Sequence, residues 1–308
     1  MTLQQLKYAV TIADCGSINE AAKRLFISQP SLSGSVKELE DEIGFEIYIR
    51  SNRGIVITPE GEEFMSYARQ VLEQYNLLQD RFVNKTMRKK FGVSTQHYSF
   101  AVKSFVDVVN EYGMDKYEFA IHETRTQEVI ENVRYFKSEI GVLYENEFNR
   151  KVLEKLFHEN SLEFVPLFDC DTFVYLWGGH PLADKDEIAI EELEDYPCLA
   201  FDQGMHGSLF LAEEQFSSYE HDRLIRANDR ATMLNLMIGL NGFTLCSGII
   251  SEDLNGDAYK AIPLKESDKM TIGYIKRKGA SLSKLAKLYV EKLAEYEKYA
   301  YNRQADNK

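Results

Sequence analysis

Four polar side chains between residues 29 and 37 could carry out recognition chemistry. Gln29 has an amide that can bond the edge of an adenine with two hydrogen bonds, and the hydroxyls of Ser31 and Ser33 can reach base edges or phosphates. Lys37 has an ammonium group that can neutralise a backbone phosphate. These residue types in one short stretch predict a surface that reads double-stranded DNA, provided that one element presents them together.

A helix is the element that would present them. Ser28 is a typical N-cap, Pro30 stands in the first turn, where its missing N–H costs nothing, and Gly44 would end the helix. The apolar face repeats at spacings of 4, 3 and 4 residues, at Leu32, Val36, Leu39 and Ile43. The polar side chains therefore fall on the other face, near the start of the helix.

Two shorter helices precede this one. The apolar pattern predicts a first helix from Leu3 that stops near Gly16, and a second helix that Ser17 caps. Ala21 and Ala22 lie on the buried face of the second helix, and their small side chains allow another helix to approach closely.

A hairpin follows the third helix. Residues 46–50 and 55–57 are typical of short strands, and the Ser-Asn-Arg-Gly sequence between them is hairpin turn chemistry. Arg50 and Arg53 lie in this hairpin, where their guanidinium groups suit phosphate or minor-groove contact. A helix-turn-helix followed by a hairpin is a winged helix-turn-helix, which we assign to residues 1–58.

A long helix begins at Thr58-Pro59, a second cap-plus-proline start. Over residues 59–84 the helix would be about 39 Å long. Its apolar positions repeat at alternating spacings of 4 and 3, at Phe64, Ala68, Val71, Tyr75, Leu78 and Phe82. We favour a dimerising, coiled-coil-like linker over residues 59–90, and the alternative is a helix packed on its own domain.

From residue 91 to 308 the sequence pattern changes to alternating predicted strands and helices, which indicates an α/β domain with βαβ units and mostly parallel sheets. The predicted strands cover residues 91–94, 118–122, 139–144, 162–168, 172–177, 198–202, 224–226, 243–246, 258–264 and 271–276. Helical patterns lie between them, at Val129, Val133 and Phe136 and at Met233, Met237 and Leu240. The overall class is therefore α+β.

The net charge is -13, which at first argues against nucleic acid because DNA-binding proteins usually show a basic footprint. The charge is unevenly distributed, however. Residues 1–90 carry 12 basic and 12 acidic side chains, so the whole excess of acid lies after residue 90. This asymmetry indicates a neutral DNA reader joined to an acidic domain with a different partner.

Membrane and redox roles have no positive signal. No apolar stretch is long enough to span a bilayer, and the N-terminus lacks the pattern of a secretory signal, so a cytoplasmic protein with no membrane partner is expected. Four widely spaced cysteines make no C-x-x-C pair, so we expect buried, reduced thiols. They are Cys15, Cys170, Cys198 and Cys246.

Catalytic motifs were not found either. The histidines show no paired metal spacing, and the chain has no nucleophile elbow, Walker loop or dinucleotide fingerprint. We therefore expect no catalytic residue, no metal and no cofactor. The adjacent acids Glu213 and Glu214 are interpreted as a solvated helix face.

Residues 21–33 resemble the LysR-type transcriptional regulators, in the motif Ala-Ala-x-x-Leu-x-Ile-Ser-Gln-Pro-Ser-Leu-Ser. Residues 39–54 and the Ile-Thr-Pro-Glu-Gly run at residues 57–61 continue the resemblance, which is highly specific over residues 3–65. One departure is Ile47-Tyr48, where the family usually has Leu-Phe. Weaker family segments are the His-Pro-Leu-Ala run at residues 180–183 and residues 238–243.

The resemblance implies a dimer through the linker helix, often assembled into a tetramer, and an effector domain similar to periplasmic binding proteins. That domain would have two α/β lobes, of residues 91–165 with 268–308 and of residues 166–267. The expected DNA contacts are Gln29, Pro30, Ser31, Ser33, Lys37, Arg50, Arg53 and Thr58. A small ligand would bind in the cleft between the lobes.

By their position after predicted strands, nine residues are expected to line that cleft. They are Ser94, Thr95, Gln96, His97, Thr124, Thr126, Tyr144, Phe201 and Asp202. The loop at residues 94–97 opens a helix whose free N–H groups favour a carboxylate. It also resembles the cleft loop of relatives that sense sulfur or nitrogen metabolites, so an amino acid or such a metabolite is the expected effector.

The sequence therefore predicts a sequence-specific transcriptional regulator whose promoter binding a small metabolite modulates. Its partners would be double-stranded promoter DNA, the effector and further copies of itself, with RNA polymerase as an additional candidate. The alternative is a metabolite-binding module or an enzyme whose N-terminal helices serve protein–protein contact.

Overall fold

The computed structural model describes residues 1–51, 54–83, 89–113, 116–204, 208–250, 254, 256–266 and 268–299. The chain divides into two compact units, Met1–Arg88 and Lys89–Lys308. No helix within the described ranges is both long enough and apolar enough to cross a membrane.

The first unit contains three short helices, a two-stranded hairpin and a long helix. They are α1 (Leu3–Cys15), α2 (Ile18–Leu25), α3 (Gln29–Ile43), β1 (Tyr48–Ser51), β2 (Gly54–Ile57) and α4 (Pro59–Leu78). β1 pairs antiparallel with β2, and Ile49 lies opposite Val56. This element order is the predicted winged helix-turn-helix.

Caps and glycines set the helix ends where the sequence predicts. Ser17 and Ser28 each accept a hydrogen bond from a backbone N–H in the first turn of α2 and α3. Gly16 and Gly44 end α1 and α3 with φ of 61° and 83°, a left-handed conformation that glycine adopts without steric cost. The start of α3, which carries the polar residues of interest, is therefore fixed by local chemistry.

The core of this unit holds α3 in place from its other side. Ile12, Ala21 and Leu32 come from three different helices and are fully buried against one another. Complete burial of a side chain the size of Ile12 or Leu32 contributes about 1.5–3 kcal/mol each. The apolar face of α3 is thus used for packing, and its polar face is left available.

The long helix has two different halves. Phe64 packs on Phe45 with ring centroids 6.2 Å apart, and Ala68 is buried, so the first half lies against its own domain. Val71 and Leu78 are exposed, Leu78 by 58%. The continuous α-helix predicted to residue 84 is wrong in its last part, because a π-helical turn, Gln79–Val83, replaces it after Leu78. Residue 84 lies outside the described residues.

The second unit begins with a five-stranded sheet of order β4-β3-β5-β12-β6. The strands are β3 (Lys89–Thr95), β4 (Tyr117–Glu123), β5 (Ile140–Glu145), β6 (Leu162–Cys170) and β12 (Met270–Arg277). The helices are α5 (Ser99–Tyr112), α6 (Thr126–Arg134), α7 (Arg150–Glu159) and α9 (Lys284–Ala294). We call these elements the first lobe.

The second lobe consists of the elements between β6 and β12. They are β7 (Phe173–Trp177), β8 (Cys198–Phe201), β9 (Leu224–Ala227), α8 (Arg230–Leu240), β10 (Thr244–Cys246) and β11 (Tyr259–Pro263). β7 is flanked by β10 and β11, and β8 pairs with β9. Trp177 and His180 both bond Asn241, so the two weaker family segments pack together.

Each of the ten strands predicted for this unit is present, with its ends within two residues of the predicted ones. The expectation of mostly parallel sheets is wrong for part of the unit. β3 is parallel to β4 and β5, but β12 is antiparallel to both of its neighbours, and β7 is antiparallel to β10 and β11. Strands that cross between lobes return in the opposite direction, and the sequence pattern does not encode direction.

The boundary between the lobes also differs from the predicted one. β6 pairs with β12 from Leu162 to Cys170, so the first lobe continues five residues beyond the predicted boundary at residue 165. Likewise, the first sheet begins at Lys89 rather than at residue 91. A lobe boundary depends on strand pairing between distant segments, which composition does not reveal.

Candidate functional site

The polar face of α3 presents its residues in one row. Gln29, Ser33 and Lys37 are four residues apart, so they follow one another along the same side of the helix. Gln29 Nε2 donates to Ser33 Oγ at 2.8 Å, and Lys37 is exposed. The row places an amide, a hydroxyl and a cation on one surface, which is the set of groups that reads base edges and holds a phosphate.

The remaining residues predicted for this surface have different settings. Pro30 and Ser31 are exposed in the first turn of α3, and Ser31 Oγ lies 2.7 Å from Ser28 Oγ. Arg50 lies in β1 of the hairpin, whereas Arg53 is outside the described residues. Their predicted roles in DNA contact therefore stay predictions.

The side chain of Thr58 is buried at the start of α4. Its side chain is only 8% exposed, its Oγ1 donates to the Glu46 carbonyl at 2.7 Å, and the same oxygen accepts the Gly61 N–H at 2.9 Å. Both hydrogen-bonding roles of the hydroxyl are thus used to start α4 and to hold the end of the hairpin. Thr58 is a structural cap, and the burial of its side chain disfavours the predicted DNA contact, which stays a prediction.

In the second unit, a cavity of about 70 Å³ lies between the two lobes. It has room for about five water-sized groups. The first lobe contributes His97, Tyr98 and Met270. The second lobe contributes further lining residues that include Phe201, Glu213, Glu214, Gln215, Arg230, Met233, Met237, Thr244 and Cys246.

His97 and Phe201 are the two residues of the predicted cleft that line this cavity. Their rings stack across the lobes, with centroids 3.7 Å apart and planes 6° from parallel. The backbone N–H and the Nδ1 of His97 both lie 2.8 Å from Glu213 Oε2. The loop before α5 was expected to bind a ligand carboxylate, and here it binds a carboxylate of the chain itself.

The adjacent acids Glu213 and Glu214 are buried, contrary to the prediction of a solvated face. Glu213 and Glu214 are each 7% exposed and line the cavity, so they are not a solvated helix face. Glu214 Oε1 accepts the Phe201 N–H at 2.7 Å. Burial, reinforced by the neighbouring Glu213 carboxylate, raises the pKa of Glu214 to about 8. The sequence offered no local signal for this burial beyond the apolar residues that flank the pair.

Seven of the nine predicted ligand residues do not line the cavity, and three of these are held within the first lobe. Ser94 Oγ lies 2.8 Å from Ser138 Oγ, and Thr95 Oγ1 donates to its neighbour's carbonyl at 2.8 Å. Thr124 Oγ1 bonds Glu128 in the first turn of α6. All three side chains bond residues of their own lobe.

Gln96 links the cleft loop to two neighbouring strand ends. Its Nε2 donates to Thr126 Oγ1 at 2.6 Å, and its Oε1 accepts the Tyr144 N–H at 3.2 Å. Thr126 Oγ1 in turn donates to the Leu211 carbonyl at 2.8 Å. These predicted ligand residues therefore meet at the carboxyl ends of the strands, as expected, but they contact each other and the second lobe.

Charged pairs also connect the lobes. Arg125 donates to both the carbonyl and the carboxylate of Asp202, at 2.9 and 2.6 Å, and Arg230 pairs with Glu123. Asp202 was predicted as a ligand contact, and the structure places its carboxylate on Arg125 instead. The lobes are thus held together by side chains at the mouth of the cleft.

Two buried polar side chains of the cavity lining have unused hydrogen-bonding capacity. Gln215 is 4% exposed and neither of its amide atoms has a partner among the described residues, and the same holds for Thr244 Oγ1. Buried polar groups in proteins are nearly always hydrogen-bonded, and exceptions mark sites for a ligand or water.

None of the four cysteines forms a disulfide bond. Cys170 and Cys198 are buried, as expected, whereas Cys15 and Cys246 are only partly buried. Burial raises the pKa of Cys198 to about 12 and raises that of Cys170 well above its usual value. Since the thiolate is the reactive form, these two are inert at neutral pH. Within the described part of the chain, no group of three potential ligands is placed to hold a metal ion.

The protein-family models match both units. Residues 3–62 match the bacterial regulatory helix-turn-helix protein of the lysR family, and residues 115–298 match the LysR substrate binding domain. The chain belongs to the LysR family. A LysR-family protein of this organisation is a DNA-binding transcriptional regulator with an effector-binding domain, so the predicted family and function are confirmed.

Similar proteins cover nearly the whole chain. The hydrogen peroxide-inducible genes activator of Pectobacterium carotovorum subsp. carotovorum is 25% identical over 92% of both chains. The DNA-binding transcriptional dual regulator OxyR of Escherichia coli (strain K12) is 25% identical over 92% of this chain and 91% of its own.

Solved structures of LysR-family regulators share the fold. A full-length OxyR variant from Pseudomonas aeruginosa has a TM-score of 0.60 at 20% identity and covers 96% of this chain and 98% of its own. Full-length CbnR complexed with its target DNA has a TM-score of 0.58 at 18% identity and covers 96% of this chain and 99% of its own. The predicted fold class is therefore confirmed.

Proposed function

We propose that this LysR-family regulator binds promoter DNA through the polar face of α3 and that a small molecule in the interlobe cleft alters that binding. The observation that carries the proposal is the row of Gln29, Ser33 and Lys37 on a helix whose other face is buried in the domain core. Its promoter target places the regulator in the cytoplasm, and no enzymatic activity is proposed.

Self-association is part of the proposal. Val71, Tyr75 and Leu78 lie at alternating spacings of 4 and 3 on α4 and remain exposed in one chain. Apolar side chains in such a row favour a second helix over water. We infer a homodimer through this half of α4, further assembly to a homotetramer, and two-fold symmetric half-sites in the DNA. RNA polymerase is a candidate partner at the bound promoter.

The effector is proposed to bind without covalent chemistry. One of the two relatives named above is a hydrogen peroxide-inducible genes activator. Oxidation of a thiol is therefore an alternative mechanism for this chain. The burial of Cys170 and Cys198 argues against it, because protonated thiols react slowly with peroxide. Cys246 lines the cavity, so a Cys246→Ser variant that no longer responds to peroxide in promoter binding would support oxidation instead.

The DNA-binding proposal is tested by fluorescence anisotropy with the upstream DNA of the chain's own gene over a range of salt concentrations. Lys37→Ala should weaken binding to all sequences alike and lower the salt slope by about 1. Gln29→Ala should relax base preference at one position, at a cost of about 1–3 kcal/mol for the preferred base. Lys151→Ala, which removes an exposed cation from the other unit, is the control. The absence of any sequence-preferring, salt-sensitive complex refutes the proposal.

A further inference from the structure

The carboxylate of Glu213 occupies a position that is built for an anion. Its Oε2 accepts the His97 backbone N–H and the His97 Nδ1–H, both at 2.8 Å, and its Oε1 accepts Gln203 Nε2 at 3.0 Å. His97 precedes Tyr98, the N-cap residue of α5, so the free N–H groups at the start of that helix add to the favourable field. Three donors thus converge on one buried carboxylate.

The segment that carries Glu213 reaches from the second lobe to the first. Thr126 Oγ1 donates to the Leu211 carbonyl at 2.8 Å, and Tyr144 Oη lies 3.2 Å from the carbonyls of Ala212 and Glu214. Three first-lobe residues that were expected to bind an effector, His97, Thr126 and Tyr144, are therefore bound to this segment, which covers residues 211–214.

The cavity beside this segment is lined by polar side chains that lack hydrogen-bond partners among the described residues. Gln215 and Thr244 line it, and their side-chain amide and hydroxyl are buried without a partner among the described residues. A ligand that extends from the Glu213 position into the cavity would meet both groups. The anion position and these two groups together define a ligand with a carboxylate at one end and hydrogen-bonding groups close to it.

We propose that segment 211–214 is an internal substitute for the effector, and that a small carboxylate metabolite acts by displacing Glu213 from His97 and Gln203. This inference rests on the proposed function, since it describes how the effector of that same cleft acts. Displacement of Glu213 also withdraws the segment from Thr126 and Tyr144, so it changes the contact between the lobes. The chain then has two arrangements, and the effector binds only the one in which Glu213 has left.

Displacement is required rather than simple addition for two reasons. The three donors are already engaged by Glu213, and a cavity of about 70 Å³ holds only a few heavy atoms. A second carboxylate placed beside the Glu213 carboxylate would also bring two like charges together in a buried site, which is disfavoured.

Acetate is the probe, because it reproduces the end of the Glu213 side chain. The full-length variants Glu213→Ala and Glu213→Gln are titrated with sodium acetate, against sodium chloride at equal ionic strength, and followed by thermal unfolding. Glu220→Ala is the matched control, because it removes an exposed acid from the same region. Acetate should bind Glu213→Ala about tenfold or more tighter than wild type, since charge-assisted hydrogen bonds from three donors become free.

Glu213→Gln keeps the size of the side chain and removes its charge, so acetate affinity should follow the order Ala, Gln, wild type. This comparison of Gln with wild type still tests the proposal if Glu213→Ala does not fold. Promoter affinity in chloride should differ about threefold or more between Glu213→Ala and wild type, and acetate should restore it.

Equal responses to acetate in wild type and both Glu213 variants would overturn the proposal. So would a promoter affinity that is the same in Glu213→Ala and wild type and does not change with acetate. Failure of the proposed function looks different, because no protein, wild type included, would then form a sequence-preferring DNA complex, while the acetate titration would remain unaffected.

Discussion

The buried carboxyl of Glu214 should make the second unit less stable as the pH rises from 5.5 to 7.5. Glu214 is 7% exposed and accepts the Phe201 N–H, and burial together with Glu213 raises its pKa from 4.5 to about 8. The folded chain therefore holds a proton that the unfolded chain releases near pH 4.5. Its contribution to stability is complete below the unfolded pKa and is lost as the pH rises through the folded one.

The size of the effect follows from the width of this window. Within it, one such group lowers the free energy of unfolding by one pKa unit's equivalent per pH unit, which amounts to about 3 kcal/mol over two units. Glu214→Gln removes the titration and keeps an oxygen that can accept the Phe201 N–H. The variant should therefore lose this part of the pH dependence and keep the rest.

The assay is urea unfolding at several pH values, followed by the fluorescence of Trp177. The chain has one tryptophan, and Trp177 Nε1 donates to Asn241 Oδ1 at 2.9 Å within the second lobe, so the signal reports that lobe. A change of about 3 kcal/mol corresponds to a shift of about 1 M in the urea midpoint for a unit of this size.

Glu220→Gln is the control, because Glu220 is an exposed acid six residues away, and it should follow wild type at every pH. If the midpoints of wild type and Glu214→Gln instead move in parallel with pH, Glu214 is ionised at neutral pH. The argument that burial keeps this carboxyl protonated would then be refuted.

Three further changes test other parts of the structure. Thr58→Ala should lower the free energy of unfolding by about 1 kcal/mol through loss of the α4 cap, so circular dichroism should show a lower melting temperature. DNA affinity measured well below that temperature should stay unchanged, because Thr58 is buried. Leu78→Asp should shift the dimer towards monomer in sedimentation equilibrium. Asn76→Asp, which adds the same charge at an exposed position on the other side of α4, should not. Gly141→Ala should destabilise the first lobe by about 1–3 kcal/mol, because the new Cβ would lie 2.7 Å from a Val129 methyl group. Gly239→Ala on α8 is the control, because its new Cβ would have no atom within 4 Å, and it should not reduce the melting temperature.

Features that depend on near neighbours in the chain follow from the sequence alone. Ser28, Pro30 and Gly44 fix the ends of α3 through hydrogen bonds and backbone conformations within a few residues, and the apolar repeat fixes which side is buried. For that reason the row of Gln29, Ser33 and Lys37 needed no tertiary information. The ten strands of the second unit were found in the same way, since each is a local pattern.

The residues that line the cleft depend on long-range contacts, which the sequence pattern does not reveal. Nine residues were expected there from their positions after strands, and two of them, His97 and Phe201, line the cavity. Gln96, Thr126 and Tyr144 instead form hydrogen bonds with other residues of the protein. The position after a strand places a residue at the correct edge of a sheet, but it does not say what will face that residue from the other lobe.

The acid pair shows the physical reason most clearly. Glu213 and Glu214 look solvated in the sequence, because adjacent acids in a polar chain usually face water. Glu213 is buried because it meets donors on His97, 116 residues earlier in the chain. The environment of a charged group is set by partners at such distances, and no local pattern carries that information.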